Sequence, residues 1–231
     1  NQLLGFIGAH EWHKKGIDIP QLDGKIHVPF GVFSPLRGEY LGLIAQAPLT
    51  PNIQTAFDIG TGSGVIAAIL AKRGIPNIIA TDTNPKAIAC ATANLEHLSL
   101  DKAVSIQSID LFPESCADLI VCNPPWLPAK PTSAIETALY DPNHAMLTAF
   151  LNGVHQHLNP NGEAWLIISD LAEHLHLRDK DFLNQCFQTA SLNVVDILKT
   201  KPQHKKAIDE SDPLAFARNK ETTYLYRLKA I

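Results

Sequence analysis

The chain has 231 residues, of which 45% are hydrophobic and 18% are charged. This composition is typical of a globular protein with a substantial core, arranged as one large α/β domain or as two small ones. The formal net charge of −4 argues against a domain that holds nucleic acid by broad phosphate neutralisation, although a local basic patch is still compatible with it. No apolar run reaches the ~18–20 residues of a membrane span, so no membrane partner is predicted.

The cysteines and histidines do not form a metal-binding pattern. The four cysteines include no CxxC pair, and no Cys or His cluster has zinc-ligand spacing. We therefore predict reduced thiols in a cytoplasmic protein without a metal. The chain begins with Asn rather than Met, and we expect an N-terminal piece to be missing. The cysteines are Cys90, Cys116, Cys122 and Cys186.

Apolar strands alternate with helices from residue 53 onward. The predicted strands are 55–59, 77–81, 103–108, 117–122, 163–169, 192–198 and 222–228. The predicted helices are 65–74, 85–97, 143–158 and 171–190. Strands that are apolar along nearly their whole length, separated by helices, predict a parallel sheet covered on both faces. The segment 199–221 between the last two strands is polar and lacks a crossover helix, so an antiparallel edge strand is predicted.

Residues 1–50 do not follow this alternation. Within 17–33, Asp23-Gly24 is a strong turn dipeptide between short apolar runs and predicts a hairpin. The predicted fold is therefore α/β, a seven-stranded mostly parallel sheet with helices on both faces and an antiparallel edge strand. A small N-terminal β-hairpin appendage (1–50) precedes the main domain (51–231).

Polar residues follow four of the predicted parallel strands. Asp58, Asp82, Asp110 and Asn123 each lie at or just beyond the carboxyl end of a strand. In open α/β sheets, ligands bind beyond these strand ends. The four residues together predict a ligand-binding cleft, whereas any one of them alone is a common turn or cap residue.

The run DIGTGSGV forms a glycine-rich turn between the first strand and the first helix. Glycines at 60, 62 and 64 permit a tight turn whose backbone N–H groups face a ligand, although strand-to-helix packing alone also explains them. Asp82 comes 22 positions after Gly60, where a carboxylate can accept both hydroxyls of a ribose. The third glycine comes one position early for a dinucleotide fingerprint, and no GK[ST] follows. The ligand is therefore predicted to be nucleoside-like and to lack a pyrophosphate, with Asp110 near an adenine amine.

The fourth strand ends at Asn123-Pro124-Pro125-Trp126. Consecutive prolines cannot donate to a sheet ladder and hold the preceding residues extended, so the tip is predicted to be stiff. A rigid polar and aromatic tip at a ligand-binding edge indicates a catalytic element. The alternative is a proline-rich turn with a packing tryptophan.

These segments together resemble the class I S-adenosylmethionine-dependent methyltransferases. DIGTGSG, ATDTNP, SIDLF and VCNPPW occur in that family's order and spacing over about 55–230. The resemblance implies a Rossmann-like sheet, S-adenosyl-L-methionine as cofactor, and methylation of a planar nitrogen. Enzymes of this kind include the HemK-like enzymes acting on a glutamine amide of peptide release factors, and N-methyltransferases of rRNA, tRNA and DNA bases.

The resemblance extends to the segment PFGVFSPLRGEY (29–40), but it has two departures. The chain has SPLRGEY where HemK-like enzymes have a PR-x-ETE-like run, and LYDPNHAML (139–147) where they have a Glu-Pro segment and a glycine pair. The methyl acceptor is therefore predicted only as an RNA base or a protein glutamine. The oligomeric state is not predicted.

The resemblance also assigns site residues. The Asn123 side-chain oxygen and the Pro124 carbonyl are predicted to accept the N–H hydrogens of the target nitrogen, and Trp126 to stack on it. The predicted catalytic residues are Asn123, Pro124, Pro125 and Trp126. The predicted cofactor-binding residues are Asp58, Gly60, Thr61, Gly62, Gly64, Asp82, Thr83, Asp110, Leu111 and Asn123.

Three further segments have two interpretations each. The basic run 199–206 is either a solvated loop or a contact for RNA backbone; it contains Lys199, Lys201, Lys205 and Lys206. Residues 131–144 form either a lid over the acceptor or a surface loop. For Arg37 and Glu39, only the family resemblance indicates a contact, either with the cofactor or with the substrate.

The sequence thus predicts a methyltransferase that moves a methyl from S-adenosylmethionine to a planar nitrogen. A catalytically silent domain that binds the same cofactor is the alternative. An NAD-dependent oxidoreductase is disfavoured by the glycine spacing and by the lack of a Tyr-Lys or His catalytic set.

Overall fold

The computed structural model describes residues 15–35, 38–128, 140–202 and 215–231. Its strands are β1 (Ile17–Ile19), β2 (Gly24–Ile26), β3 (Thr55–Ile59), β4 (Asn77–Asp82), β5 (Val104–Ser108), β6 (Ala117–Cys122), β7 (Leu158–Ser169), β8 (Leu192–Thr200) and β9 (Thr223–Ala230). Its helices are α1 (Glu39–Gln46), α2 (Val65–Lys72), α3 (Pro85–His97), α4 (Ala145–His157), α5 (Leu171–His174), α6 (Phe182–Thr189) and α7 (Ala215–Arg218). Within these ranges, no helix has the length and apolar character needed to cross a membrane.

The main sheet has seven strands in the order β5-β4-β3-β6-β7-β9-β8. Neighbouring strands from β5 to β7 are parallel, whereas β9 runs antiparallel to both β7 and β8. The predicted seven-stranded, mostly parallel sheet is confirmed.

The predicted antiparallel edge strand is also confirmed: β8 forms the edge of the sheet and pairs antiparallel with β9, which lies inside the sheet. Leu225 and Leu228 of β9 are fully buried between two hydrogen-bonded neighbours. Val195 and Ile197 of β8, by contrast, are each 48% exposed. The apolar run of β8 resembles that of an interior strand, so composition alone did not distinguish the edge strand from the buried one.

Helices cover both faces of the sheet, as predicted. Along β6, Leu119 and Val121 point into one hydrophobic cluster, and Ile120 and Cys122 point into the other. The first cluster contains the apolar residues of the hairpin, α1 and α2, and the second contains those of α4 and α6. This alternation is the period-2 pattern of a strand buried on both faces.

The N-terminal hairpin forms as predicted, with Ile17 opposite Ile26 in an antiparallel pair. A short 3-10 turn (Pro20–Leu22) leads into Asp23, whose φ of 48° supplies the left-handed residue of the turn. The range 1–50 also contains the helix α1, which the sequence pattern did not indicate. The hairpin and α1 share the hydrophobic cluster of α2, and the division at residue 51 stays a prediction.

The single helix predicted for 171–190 is two short helices, α5 and α6. Between them, His176 has a φ of 57°, which an α-helix does not accommodate. Arg178 turns back and donates to both carboxylate oxygens of Glu173 and to the carbonyl of Ser169. This buried ion pair lies where periodicity alone predicted a continuous run of helical backbone hydrogen bonds.

Candidate active site

The predicted polar strand ends lie side by side along one edge of the sheet. β5, β4, β3 and β6 are consecutive neighbours, and their registers align Ser108 with Asp82, and Ile59 with both Thr81 and Cys122. The residues that follow these strands therefore meet at one carboxyl edge, where ligands bind in open α/β sheets.

The glycine-rich turn after β3 needs its glycines for two different reasons. Gly60, Gly62 and Gly64 all have left-handed φ values, of 71°, 55° and 81°. A Cβ on Gly64 would lie 3.0 Å from the Cβ of Ala91, so α2 and α3 can approach only where no side chain intervenes. A Cβ on Gly62 would meet no heavy atom within 4 Å. The backbone at Gly62 is therefore open to a ligand.

Asp58 lies beneath this turn and is fully buried. Its Oδ2 accepts from Thr61 Oγ1 at 2.6 Å and from the backbone N–H of Ala67 at 3.0 Å. Burial raises the pKa of Asp58 to about 7; the two hydrogen bonds lower it, and the nearby Asp82 charge adds to the increase. Within the described residues, Oδ1 has no hydrogen-bond partner. Asp58 ties the turn to the first turn of α2 and keeps one oxygen for a further donor.

Asp82, at the end of β4, is held in place by two backbone donors. Its Oδ2 accepts from Gly62 N at 3.0 Å, and its Oδ1 accepts from Asn84 N at 2.9 Å. Asn84 in turn caps α3 by accepting from Lys86 N at 3.0 Å. Because each carboxylate oxygen can accept more than one hydrogen bond, both retain capacity for a ligand hydroxyl. Thr83, the residue between Asp82 and Asn84, is exposed.

The turn after β5 is linked to the end of β4 by Thr81. Its hydroxyl donates to the carbonyl of Leu111 at 2.7 Å, and Leu111 has a left-handed φ of 55°. The turn after β5 is thus fixed against β4. Asp110 is exposed there, and the Leu111 side chain packs partly against the second hydrophobic cluster. The structure places both residues at the predicted edge.

The tip after β6 is closed by a side-chain hydrogen bond. The indole Nε1–H of Trp126 donates to Oδ1 of Asn123 at 2.9 Å. Pro124 is buried, and Trp126 packs partly against both hydrophobic clusters. Trp126 is therefore anchored by its ring as well as by its N–H, and it is more enclosed than a free stacking surface.

Sequence reasoning missed Tyr40, in the first turn of α1. It is only 2% exposed, and its ring meets that of Trp126 edge to face, with the centroids 6.4 Å apart. Burial and the charge of Asp58 raise the pKa of Tyr40, and a hydrogen bond with the Asn123 side chain lowers it. Tyr40 is the last residue of the segment 29–40, to which the family resemblance extends. Nothing in its spacing, however, indicated contact with the tip.

Two further predicted segments are only partly described. Lys199 and Lys201 are exposed, whereas Lys205 and Lys206 lie outside the described residues. Arg37 and residues 131–139 also lie outside them.

The described end of the 131–144 segment has a clear structural role. Asp141 is buried and accepts from the backbone N–H groups of Met146 and Leu147 at 2.9 and 3.0 Å, which caps α4. Its own N–H donates to the carbonyl of Leu127 at 2.8 Å. The segment after the tip is thereby joined to the start of α4.

Comparison with known proteins places the chain in a family. The family model for the methyltransferase small domain matches residues 25–197. The chain belongs to this family. The predicted resemblance to class I S-adenosylmethionine-dependent methyltransferases is thus confirmed.

Relatives with curated names act on two kinds of acceptor. A release factor glutamine methyltransferase of Cereibacter sphaeroides is 35% identical over 147 residues, which cover 57% of this chain and 52% of the relative. A tRNA1(Val) (adenine(37)-N6)-methyltransferase of Cytophaga hutchinsonii is 33% identical over 133 residues, covering 54% of this chain and 56% of the relative. The chain thus spans about half the length of the curated relatives it matches.

A solved structure supports the fold. The ribosomal protein L11 methylase of Lactobacillus delbrueckii subsp. bulgaricus superposes with a TM-score of 0.59 at 17% identity, covering 90% of this chain and 86% of the other. At this identity the likeness concerns the fold alone, and it agrees with the Rossmann-like sheet predicted from sequence.

Proposed function

We propose that this chain is an S-adenosylmethionine-dependent N-methyltransferase that acts on a planar nitrogen. The observation that carries the proposal is the position of Asn123-Pro124-Pro125-Trp126. The tip follows β6, the direct neighbour of the strand that ends in the glycine-rich turn. A cofactor on the turn and an acceptor at the tip would therefore lie next to each other. Family membership supports the same chemistry.

The residues around the turn fit S-adenosylmethionine. Open space at Gly62 admits a ligand against the backbone, and the Asp82 carboxylate is held by two N–H groups with capacity left for ribose hydroxyls. The buried Oδ1 of Asp58, without a partner among the described residues, suits a donor such as an ammonium group. Thr83, Asp110 and Leu111 lie at the neighbouring strand ends, where the sequence predicts the adenine.

Asn123 and Pro124 supply the acceptor side of the reaction. The cofactor, when bound, supplies an electrophilic methyl group. The lone pair of an amide or exocyclic base nitrogen is delocalised, so the nitrogen is a poor nucleophile until its N–H hydrogens are held. The Asn123 Oδ1 accepts one bond from Trp126 and can accept another, and the Pro124 carbonyl provides a second acceptor. Two such bonds would grow stronger as positive charge develops on the nitrogen.

The named relatives support this class of acceptor. A glutamine amide and the exocyclic amine of adenine share a planar nitrogen that carries two hydrogens. We propose that the acceptor of this chain is either a protein glutamine or an RNA base. The same pair of hydrogen-bond acceptors would serve both.

Methyl transfer from radiolabelled S-adenosylmethionine tests the proposal. The probes are an unmethylated peptide release factor and an unmodified tRNA1(Val) transcript, followed by total protein and total RNA from cells that lack the enzyme. We expect label in either protein or RNA, and its loss with Asn123→Ala. Cofactor binding by calorimetry with no labelled product from any of the four samples would instead support a catalytically silent binding domain.

A further inference from the structure

The side-chain amide of Asn123 is held at both ends. Its oxygen accepts from the Trp126 indole at 2.9 Å, and the buried Tyr40 phenol, whose ring meets that of Trp126, interacts with the same side chain. Tyr40 and Trp126 also touch each other, edge to face. The three side chains form a closed set, which we call the Asn123 clamp, with members from the β6 tip and from α1.

An asparagine amide can turn by 180° and exchange its oxygen and nitrogen at little cost in covalent strain. Only one orientation presents an acceptor to a methylatable N–H; the other presents a donor. The indole of Trp126 can only donate, so it requires the oxygen on its side. With the oxygen committed to Trp126, the amide N–H must face Tyr40 and donate to the phenol oxygen. The two aromatic partners therefore select the same orientation.

We propose that Tyr40 is a positioning residue, which with Trp126 fixes the Asn123 side chain so that its oxygen faces the acceptor nitrogen. The inference rests on the proposed function and adds to it a residue from the N-terminal segment. Tyr40 acts on the reaction through Asn123 alone.

The choice of tyrosine supports a polar role for this position. A phenylalanine would fill almost the same volume and keep the ring contact with Trp126. A phenol that is 2% exposed costs desolvation free energy unless its hydroxyl is hydrogen-bonded. A hydrogen bond from the Asn123 amide to the phenol oxygen would explain the polar atom. Ile44 and Leu41 of the same helix are buried in the first hydrophobic cluster, and they hold α1 in place.

The test compares Tyr40→Phe with the matched control Tyr226→Phe. Tyr226 is a partly buried tyrosine of β9 whose ring packs on Phe187 and Tyr224, and none of its ring contacts in the described part of the chain is with the clamp. Tyr40→Phe should lower kcat about 3- to 10-fold, the scale of one neutral hydrogen bond, and leave the Kd for S-adenosylhomocysteine unchanged. Tyr226→Phe should change neither quantity. The activity probe is the release factor or the tRNA1(Val) transcript, whichever accepts the methyl.

A readout that does not need the acceptor accompanies the kinetics. In ¹⁵N NMR spectra, Tyr40→Phe should speed solvent exchange of the Trp126 indole hydrogen and shift the side-chain N–H₂ resonances of Asn123. The Tyr226→Phe spectrum should keep both signals at their wild-type values. Unchanged Asn123 and Trp126 signals in Tyr40→Phe would overturn the inference, whatever the acceptor is.

A double-mutant cycle separates positioning from general damage. If Tyr40 acts only through Asn123, then Tyr40→Phe should slow the Asn123→Ala variant no further. Additive losses would overturn the inference. Trp126→Phe, which releases the other end of the amide, should show the same lack of additivity and serves if Tyr40→Phe does not fold. If Asn123→Ala retains the wild-type kcat, the proposed function fails. If Asn123→Ala has a lowered kcat but Tyr40→Phe has the wild-type kcat, only the positioning role of Tyr40 fails.

Discussion

The cofactor side and the acceptor side of the candidate site are built differently. On the cofactor side, backbone N–H groups donate to carboxylates: Gly62 N to Asp82 joins the turn to the end of β4, and Ala67 N to Asp58 joins α2 to β3. On the acceptor side, Asn123 is held by the side chains of Trp126 and Tyr40. Each of these backbone bonds on the cofactor side is lost only when its carboxylate is replaced, whereas on the acceptor side replacing either side chain of a pair removes the bond.

This difference suggests how acceptors can change while the cofactor stays. The backbone-held turn depends on a few glycines and carboxylates within about one strand-helix-strand unit. The clamp depends on α1, which comes from the segment before the sheet. A change in that segment can therefore alter the tip without disturbing the cofactor side. Substitutions on each side can test whether the two are energetically separate.

The largest expected effect concerns Asp58 and pH. Its folded pKa of about 7 lies above the ordinary 3.8, so the fold favours the protonated form. The contribution of Asp58 to the free energy of unfolding is complete below about pH 4 and is lost as pH rises through 7. The total loss is on the order of 4 kcal/mol. Asp58→Asn cannot ionise and should lack this loss.

Urea unfolding of both proteins from pH 4 to 8 measures the effect. The free energy of unfolding of the wild type should fall relative to that of Asp58→Asn as pH rises. The asparagine carbonyl oxygen can take the place of Oδ2 and accept from both Thr61 and Ala67, and any cost of placing N–H₂ at Oδ1 does not depend on pH. Parallel curves would mean that Asp58 is ionised throughout the range.

Asn123→Ala tests the acceptor side in isolation. We expect kcat to fall about 10²- to 10³-fold, the scale seen when one preorganised electrostatic contact is removed. The sequence also predicts Asn123 as a cofactor contact, but in the structure its side-chain oxygen bonds to Trp126 and the clamp does not include the turn, so the Kd for S-adenosylhomocysteine should stay at the wild-type value. Asn123→Asp keeps an oxygen acceptor and should retain more activity than Ala. A weakened Kd in Asn123→Ala would show that the two sides are coupled.

The cofactor side was largely predictable from the sequence because its partners are close in the chain. The spacing from Gly60 to Asp82 follows from one strand-helix-strand unit, and the structure brings Asp82 to the turn as expected. Asp58 is different. It was predicted as a cofactor contact, yet its position near the end of a buried strand places most of it under the turn. Alternation along β3 did not indicate this, because β3 is buried along nearly its whole length.

The acceptor side was less predictable because its contacts are long-range. Nothing near Tyr40 in the sequence indicates that its phenol meets Asn123, since that contact depends on how α1 packs across the sheet. The same limit explains why the sequence did not predict which of the last two strands forms the edge. Which of β8 and β9 pairs with β7 is decided by burial on both sides, and both runs contain apolar residues. Local pattern predicts elements well, but it does not fix their neighbours.

Asp82→Ala sharpens the comparison from the cofactor side. The variant lacks the predicted acceptor for the ribose hydroxyls and the bond that holds Gly62. Binding of S-adenosylhomocysteine should weaken by about 1.5–3 kcal/mol, the value of a charge-assisted hydrogen bond. At saturating cofactor, the kcat of Asp82→Ala should equal the wild-type value if the cofactor side and the acceptor side are energetically separate. Calorimetry showing wild-type affinity would remove Asp82 from the site.

The smallest expected effect concerns the basic run 199–206. If the acceptor is RNA, replacing Lys199 and Lys201 with Gln should weaken binding and flatten its salt dependence. The slope of log K against log salt should fall by about 0.7–0.9 for each phosphate that is no longer neutralised. Lys229, on the interior strand β9 and close to Glu163, gives a matched control whose replacement by Gln should leave the slope unchanged. Titrations of the tRNA1(Val) transcript at several salt concentrations would measure all three substitutions. Because Lys199 and Lys201 are exposed and lie outside the glycine-rich turn, cofactor affinity should not change. An unaltered slope would show that the two lysines do not contact RNA phosphates.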